Sequence, residues 1–156
     1  MKKFNLRWIC LVALLPFLAC NKDKSCKPKS VDSEVPQIQS FAANNGINAT
    51  AHSSGLYYEI IDPGTGVAPT ANSKIVITYT GKLMNGNTFD EQTTPNTQAW
   101  PLSDLIKGWT IGIPLIKKGG RIKLIIPSSL AYGCEPYYSI PANSVLYFDV
   151  SLIDVQ

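Results

Sequence analysis

The sequence predicts an α+β fold in which an antiparallel β-sheet curls around one short helix. Segments rich in β-branched residues recur along the chain and are separated by turns containing Gly and Pro, which is typical of strands. Between these strands only the segment from about Leu105 to Ile113 has capping residues and a length that suit a helix. Strands that enclose a single helix favour a sheet packed against that helix.

The elements follow one another in a simple order. A first short helix is capped by Ser33, places Ile38, Phe41 and Ala42 on one face, and ends at Gly46. Strands are then expected at Leu56–Ile61, Ile75–Lys82, Thr88–Phe89, Arg121–Ile126 and Leu146–Val155. The dipeptide Asn85-Gly86 is the strongest two-residue hairpin signal and joins the second strand to the third. Ser103 or Asp104 caps the central helix, and residues 92–99 and 127–143 are polar or turn-rich loops.

The N-terminus has the pattern of a secretory leader. Lys2, Lys3 and Arg7 precede an apolar run that is too short to span a bilayer and that suits a signal peptide at residues 1–19. The run ends in Phe17-Leu18-Ala19-Cys20, which resembles a bacterial lipobox, so we expect a lipid on Cys20 and a tether at residues 20–32. Several acyl chains on one residue would give stable anchoring in the cell envelope. The alternative is ordinary cleavage with a soluble periplasmic product.

Composition argues against two kinds of site. The formal net charge is +3, but the basic residues of the leader account for it, so the mature domain is near neutral and lacks the footprint of a nucleic-acid-binding protein. The single histidine, His52, has no other ligand at a zinc-like spacing, so we expect no metal. No motif for a cofactor is present in the sequence.

Four motifs carry the functional signal. They are Tyr79-Thr80-Gly81-Lys82-Leu83, the run Asn85–Asp90, Ile106-Lys107-Gly108-Trp109, and Ala131-Tyr132-Gly133. Their order and spacing resemble the FKBP family of peptidyl-prolyl cis–trans isomerases from about Ser54 to Val155. The resemblance implies a half-barrel domain at residues 54–156, preceded by a short helix and linker at residues 33–53. It also implies proline-containing polypeptides as substrates and macrolides as inhibitors.

The resemblance assigns residues to an aromatic pocket. The catalytic set that it implies is Tyr79, Phe89, Asp90, Trp109, Tyr132 and Phe148, and the substrate-binding set is Trp100, Leu105, Ile106 and Ile140. Trp109 would form the floor under the prolyl ring, and the Ile106 amide would donate to bound ligand. The first helix is too short for the dimerising stalk of some secreted relatives, so we expect a monomer.

The chemistry needs no nucleophile, base or metal. An X–Pro amide rotates over a barrier of about 18–20 kcal/mol because of its resonance. A dry pocket favours the twisted, less dipolar amide, and a few oriented donors can hold its carbonyl.

Two other functions stay open at this point. The pocket can bind proline segments as a chaperone or adaptor without turnover, or a partner can dock on Tyr137-Tyr138, because exposed tyrosines suit interfaces.

The cysteines sort by position. Cys10 lies in the leader and Cys20 is the proposed lipid site, which leaves Cys26 and Cys134 in a compartment that permits disulfides. Cys134 follows Tyr132-Gly133 on the loop that borders the family's pocket, so a bond would pin the tether to this loop. The alternative is two free thiols.

Overall fold

The chain folds into one curved sheet with a helix inside it and a second helix outside. A computed structural model describes residues 26–156. Its helices are α1 (Val31–Asn44) and α2 (Lys107–Gly112), and its strands are β1 (Thr50–Ala51), β2 (Tyr57–Asp62), β3 (Lys74–Leu83), β4 (Thr88–Gln92), β5 (Trp100–Pro101), β6 (Arg121–Ile126) and β7 (Leu146–Val155). Short 3₁₀ turns occupy Leu102–Asp104, Ile113–Leu115 and Ser128–Leu130.

All strand pairs are antiparallel, and the sheet order is β1-β2-β6-β7-β3-β4, with β5 paired to one end of β3. The two long central strands, β3 and β7, pair from Ile75 opposite Val155 to Leu83 opposite Leu146. The predicted α+β half-barrel around a short helix is therefore confirmed. The strand bounds differ from the predicted ones by a few residues at most, apart from the unpredicted two-residue strands β1 and β5.

The core lies between the concave face of the sheet and α2. Alternate residues of β3, β6 and β7 point inward, as the period of two in a strand requires. Leu56 and Ile113 belong to the same core and are fully buried. The inward strand residues that make this core are Ile75, Ile77, Ile122, Leu124, Ile126, Leu146, Phe148, Val150 and Leu152.

The central helix is shorter than predicted. Leu105 and Ile106 are extended, α2 begins at Lys107, and Ser103 and Asp104 lie in a preceding 3₁₀ turn instead of capping the helix. After Gly112 the chain continues as a second 3₁₀ turn that contains Pro114, which has no N–H for the helical ladder. The helix predicted from about Leu105 to Ile113 therefore begins two residues later in the structure, and its last predicted residue, Ile113, opens a 3₁₀ turn.

The first helix begins earlier than predicted. Ser30, not Ser33, is the N-cap, and its hydroxyl accepts a hydrogen bond of 3.4 Å from the Ser33 amide. The predicted apolar face is present, since Ile38, Phe41 and Ala42 are buried. Together with Ile47 they pack on the convex side of the sheet, against Ile125 and Val145, in a cluster separate from the main core.

The polar segment 92–99 contains a buried side chain that the sequence did not indicate. Asn96 accepts a hydrogen bond of 2.8 Å from the Ile77 amide and donates one of 3.3 Å to the Ile75 carbonyl. On the edge of β3 that faces away from β7, Asn96 thereby fills the gap between the residues paired with β5 and those paired with β4. Asn96 also donates to the Gln98 carbonyl, which fixes the chain that leads into Trp100.

The predicted leader at residues 1–19 and the predicted lipid site Cys20 lie outside the described residues. Among residues 26–156, no helix combines the length and the apolar character that crossing a bilayer requires.

Candidate active site

A small cavity opens on the concave face of the sheet, and its walls are aromatic and aliphatic apart from one carboxylate. Its volume is about 100 Å³. An apolar cavity of about 150 Å³ can hold one benzene molecule, so this one has the scale of a single small ring. The cavity is lined by Tyr79, Phe89, Asp90, Trp100, Leu105, Ile106, Trp109, Tyr132 and Phe148. Of the residues that the family resemblance assigned to the pocket, Ile140 is the one that does not line it.

Cross-strand pairing around Gly81 builds one wall. Gly81 of β3 lies opposite Phe148 of β7 on one side and opposite Asp90 of β4 on the other. A Cβ at Gly81 would lie 2.8 Å from both the Phe148 ring and the Phe89 ring, too close for an ordinary contact. The missing side chain is therefore what lets two rings lie over this strand. The register of β3 and β4 also shifts at this point, and such bulges redirect neighbouring side chains.

Trp109 forms the floor. Its side chain is only 4% exposed, and its ring stands edge-on to Tyr79 and to Phe148, with centroid distances of 5.1 Å to each. Phe89 in turn stands perpendicular to Phe148 at 5.5 Å. Edge-to-face pairs in this range are favourable geometries for aromatic rings. The floor and walls are thus a rigid, mutually packed set.

The aliphatic wall depends on the extended residues before α2. Ile106 has φ −55° and ψ 148°, so α2 starts only after it. Its carbonyl accepts from the Trp109 amide at 2.9 Å, whereas its own N–H makes no hydrogen bond within residues 26–156. The resemblance predicted this amide as a donor to ligand, and the geometry leaves it available for that role.

The polar pair at the rim is Tyr79 and Asp90. The Tyr79 hydroxyl donates a hydrogen bond of 2.5 Å to Asp90 Oδ2. Burial raises the pKa of Tyr79 well above its ordinary value, and the hydrogen bond to Asp90 and the charge of Asp90 raise this pKa further. Tyr79 therefore stays a neutral donor at physiological pH, and Asp90 is already engaged as its acceptor.

Tyr132 closes the cavity from the loop after β6, and sequence reasoning missed its neighbour. The Tyr137 ring stacks on the Tyr132 ring at 4.4 Å with an interplanar angle of 8°. Burial, followed by the nearby Tyr137, raises the pKa of Tyr132. The only sequence signal for this stack was a pair of tyrosines, Tyr137-Tyr138, at an unusual place in the loop.

A second cavity adjoins the first. It has a volume of about 320 Å³ and shares Phe89, Asp90 and Tyr132 with the smaller one. Ile140, which the resemblance assigned to substrate binding, lies here, where its side chain is 4% exposed. The other lining residues are Tyr137, Tyr138 and Ser139. A ligand longer than one ring can therefore extend from the small cavity into the larger one.

The two cysteines of the described range lie beside this loop. The structure joins Cys26 to Cys134, whose Cα atoms are 5.5 Å apart. The same range contains no group of three or more His, Cys, Asp or Glu side chains that could hold a metal ion.

Comparison with known proteins places this fold and these motifs in one family. The family model for FKBP-type peptidyl-prolyl cis-trans isomerases matches residues 66–153. The protein FKBP-type peptidyl-prolyl cis-trans isomerase FkpA of Escherichia coli (strain K12) is 42% identical over 119 residues, which cover 76% of this chain and 43% of that relative. The chain thus spans less than half the length of this curated relative.

Solved structures agree. The crystal structure of FkpA from Escherichia coli superposes with a TM-score of 0.70 at 38% identity, over 80% of this chain and 60% of that one. The structure of a peptidyl-prolyl cis-trans isomerase from Pseudomonas syringae has a TM-score of 0.68 at 29% identity, over 84% of this chain and 99% of that one. The residues that the family model matches, 66–153, include every residue that lines the small cavity.

Proposed function

The chain belongs to the family of FKBP-type peptidyl-prolyl cis–trans isomerases, and we propose that it accelerates the rotation of X–Pro bonds in polypeptides by binding the prolyl ring in the small aromatic cavity. The observation that carries this proposal is a cavity of about 100 Å³, floored by Trp109 and walled by rings, which suits one five-membered ring. Uncatalysed exchange of such bonds takes roughly tens to hundreds of seconds. Accelerating it about ten-thousandfold requires lowering the barrier by only about 5.5 kcal/mol.

Removal of water supplies part of that energy. The planar amide is more dipolar than the twisted one, so transfer from water to an apolar cavity disfavours the ground state relative to the transition state. Trp109, Phe89 and Phe148 hold the ring while the residue before proline rotates. No proton leaves carbon, and Asp90 acts as the acceptor that orients Tyr79 rather than as a base.

Oriented hydrogen-bond donors supply the remaining part of the barrier reduction. The Ile106 amide, which makes no hydrogen bond within residues 26–156, is available to the carbonyl of the bound segment. The Tyr132 hydroxyl is a second candidate donor, since Tyr132 lines both cavities. Donors that are fixed before substrate binds stabilise the twisted amide without reorganisation. The residues next to proline would then occupy the adjoining cavity beside Tyr137, where a macrolide inhibitor would also extend.

The non-catalytic alternative predicts binding without turnover. The same cavity can hold a proline segment, and Tyr138, which is 94% exposed, offers a docking surface beside it. Isomerisation of a short X–Pro peptide separates the two functions, because a chaperone or adaptor would bind the peptide and leave its exchange rate unchanged.

We also propose that the enzyme is attached to the cell envelope through lipid on Cys20. This proposal rests on the leader and lipobox pattern of residues 1–20. Residues 26–30, which belong to the predicted tether, are exposed. Metabolic labelling with a radioactive fatty acid should label the chain but not its Cys20→Ser variant. Equal labelling of both would exclude lipid at this residue.

A further inference from the structure

The loop that carries Tyr132 is held on both sides by one short N-terminal segment, residues 26–34. On the near side, the Ser128 amide donates a hydrogen bond of 2.9 Å to Glu34 Oε2. On the far side, Cys134 is joined to Cys26. Residues 26–34 precede the part of the chain that matches the family model, which begins at residue 66. The N-terminal residues of the two attachments therefore lie outside the segment that the family model matches.

The hydrogen bond between Ser128 and Glu34 positions the backbone next to Tyr132. The Ser128 carbonyl accepts hydrogen bonds from the amides on either side of Tyr132, at 3.0 Å from Ala131 and 2.8 Å from Gly133. A displacement of Ser128 therefore moves the backbone that carries the Tyr132 ring. Asn143 adds hydrogen bonds beside the Cys26–Cys134 pair.

Asn143 joins the end of the loop to the N-terminal segment. Its backbone amide donates 2.6 Å to the Gly133 carbonyl, and its side-chain amide donates 2.9 Å to the Lys27 carbonyl and 2.9 Å to Cys26 Sγ. Asn143 does this with φ 56°, a left-handed conformation in which asparagine is enriched. The hydrogen bonds and the disulfide thus converge on the residues next to Tyr132.

The burial of Glu34 is not explained by the packing of α1. Its side chain is 1% exposed, and its second oxygen, Oε1, has no hydrogen-bond partner within residues 26–156. The Ser128 hydroxyl is buried without a partner in the same range. Burying an incompletely paired carboxylate costs free energy that an apolar residue of similar size would not. Packing of α1 therefore does not require an acid at this position, whereas the contact to the loop does require an acceptor.

We propose that Glu34 and the Cys26–Cys134 pair are positioning residues for the isomerase reaction, which hold Tyr132 at the mouth of the prolyl cavity. The inference rests on the proposed function, since it concerns the same site. Tyr132 lines both cavities and stacks on Tyr137, so its position sets the shape of the passage between the prolyl ring and its flanking residues. Misplacing a binding group by about 1 Å can cost up to about a hundredfold in rate.

The test compares variants of the full chain, purified in detergent, first in the parent background and then without the Tyr132 side chain. Glu34→Ala removes the acceptor for Ser128, Glu34→Gln keeps one, and Asp32→Ala is the matched control, since Asp32 is an exposed acid of the same helical turn. We expect Glu34→Ala to lower kcat/KM for an X–Pro peptide roughly tenfold, Glu34→Gln to restore most of it, and Asp32→Ala to leave it unchanged. The double variant Cys26→Ser/Cys134→Ser should lose activity as Glu34→Ala does.

Repeating these substitutions in a Tyr132→Ala background decides whether they act through Tyr132. We expect their effects on kcat/KM to vanish there, because coupled residues do not act additively. Unchanged activity of the Glu34→Ala and serine variants in the parent background would overturn the proposal. Losses of the same size with and without the Tyr132 side chain would overturn it as well, since they would reflect general destabilisation.

Hydrogen exchange separates this inference from the proposed function. The amides of Ala131 and Gly133 should exchange faster in Glu34→Ala and in the serine variant, while core amides of β3 and β7 keep their protection. If the parent chain did not isomerise X–Pro peptides, the proposed function would fail, and faster exchange confined to this loop would still show that residues 26–34 hold it. Unchanged exchange of both amides would show that they do not.

Discussion

The hydroxyl of Tyr79 on β3 donates a hydrogen bond of 2.5 Å to Asp90 on β4. Asp90 lies opposite Gly81, two residues along β3 from Tyr79. This contact ties the neutral donor at the rim of the cavity to its one carboxylate. Because Asp90 accepts this hydrogen bond, we propose that it orients the Tyr79 ring.

Removing the carboxylate should therefore act through Tyr79. In Asp90→Val the hydroxyl loses an ionised acceptor, a type of bond that contributes about 1.5–3 kcal/mol, so we expect kcat/KM to fall about tenfold or more. Adding Tyr79→Phe should then cause little further loss. Glu91→Gln, an exposed acid next along β4, is the matched control and should retain activity. Additive losses from Asp90→Val and Tyr79→Phe would show that the two side chains act separately.

The rings of the cavity can be tested without unfolding the protein. Trp109 is buried, so Trp109→Ala should destabilise the fold by about 3–5 kcal/mol and cannot isolate its part in catalysis. Phe89 is half-buried and lines the cavity, so Phe89→Ala should reduce kcat/KM at least tenfold, with a smaller loss of stability. Tyr58→Ala removes a half-buried ring of β2 outside the cavity. Tyr58→Ala should lower the melting temperature and preserve kcat/KM. A larger loss of kcat/KM in Tyr58→Ala than in Phe89→Ala would contradict the assignment of this cavity.

A glycine makes the wall possible. In Gly81→Ala the new Cβ would lie 2.8 Å from the Phe89 and Phe148 rings, so one ring must shift. We expect lower kcat/KM and a folded domain, measured by peptide isomerisation and circular dichroism. Gly86→Ala is the control for activity, because Gly86 has no neighbour near its Cβ but has φ 89°, so it should lose stability without losing activity. Full activity in Gly81→Ala would show that the wall tolerates rearrangement.

Alkaline pH should destabilise the protein through Tyr147. Burial, with the nearby charge of Asp149, raises the pKa of Tyr147 to about 12. A raised folded-state pKa contributes stability that is fully present below the unfolded pKa of about 10 and is lost as the pH rises towards the folded value. The free energy of unfolding should therefore fall between about pH 10 and 12, and less steeply in Tyr147→Phe. Identical slopes for the two proteins in denaturant titrations would contradict this assignment.

The Cys26–Cys134 pair should contribute to global stability as well as to the loop. The cysteines are 108 residues apart, and closing a loop of this length stabilises the folded state by about 4–5 kcal/mol in the chain-entropy model. Reducing agent should shift the denaturation midpoint of the parent and leave that of Cys26→Ser/Cys134→Ser unchanged. A parent protein insensitive to reductant would indicate two free thiols.

The strands were predictable from local alternation, whereas the aromatic set was assigned through the resemblance of four motifs to a known family. Alternation in β3, β6 and β7 fixes which side chains face inward, and so brings Tyr79 and Phe148 to one face. The bounds of α2 were not predictable, because 3₁₀ turns on both sides compete with it and leave Leu105 and Ile106 extended.

Long-range contacts were also beyond the sequence pattern. The buried Asn96 and Glu34 are polar residues in segments that read as a loop and a helix surface, and only tertiary packing gives them partners on β3 and at Ser128. The stacking of Tyr137 on Tyr132 likewise depends on how the loop folds back on itself, through the hydrogen bonds between Tyr137 and Ile140.

The measurement that tests the central claim most directly is the cis–trans exchange rate of a short X–Pro peptide with the full chain in detergent. Exchange should be accelerated in proportion to protein concentration, Phe89→Ala and Asp90→Val should lower the acceleration, and Tyr58→Ala should preserve it. Peptide that binds the folded parent protein at the cavity but exchanges at its uncatalysed rate would contradict the account and favour the binding-module function.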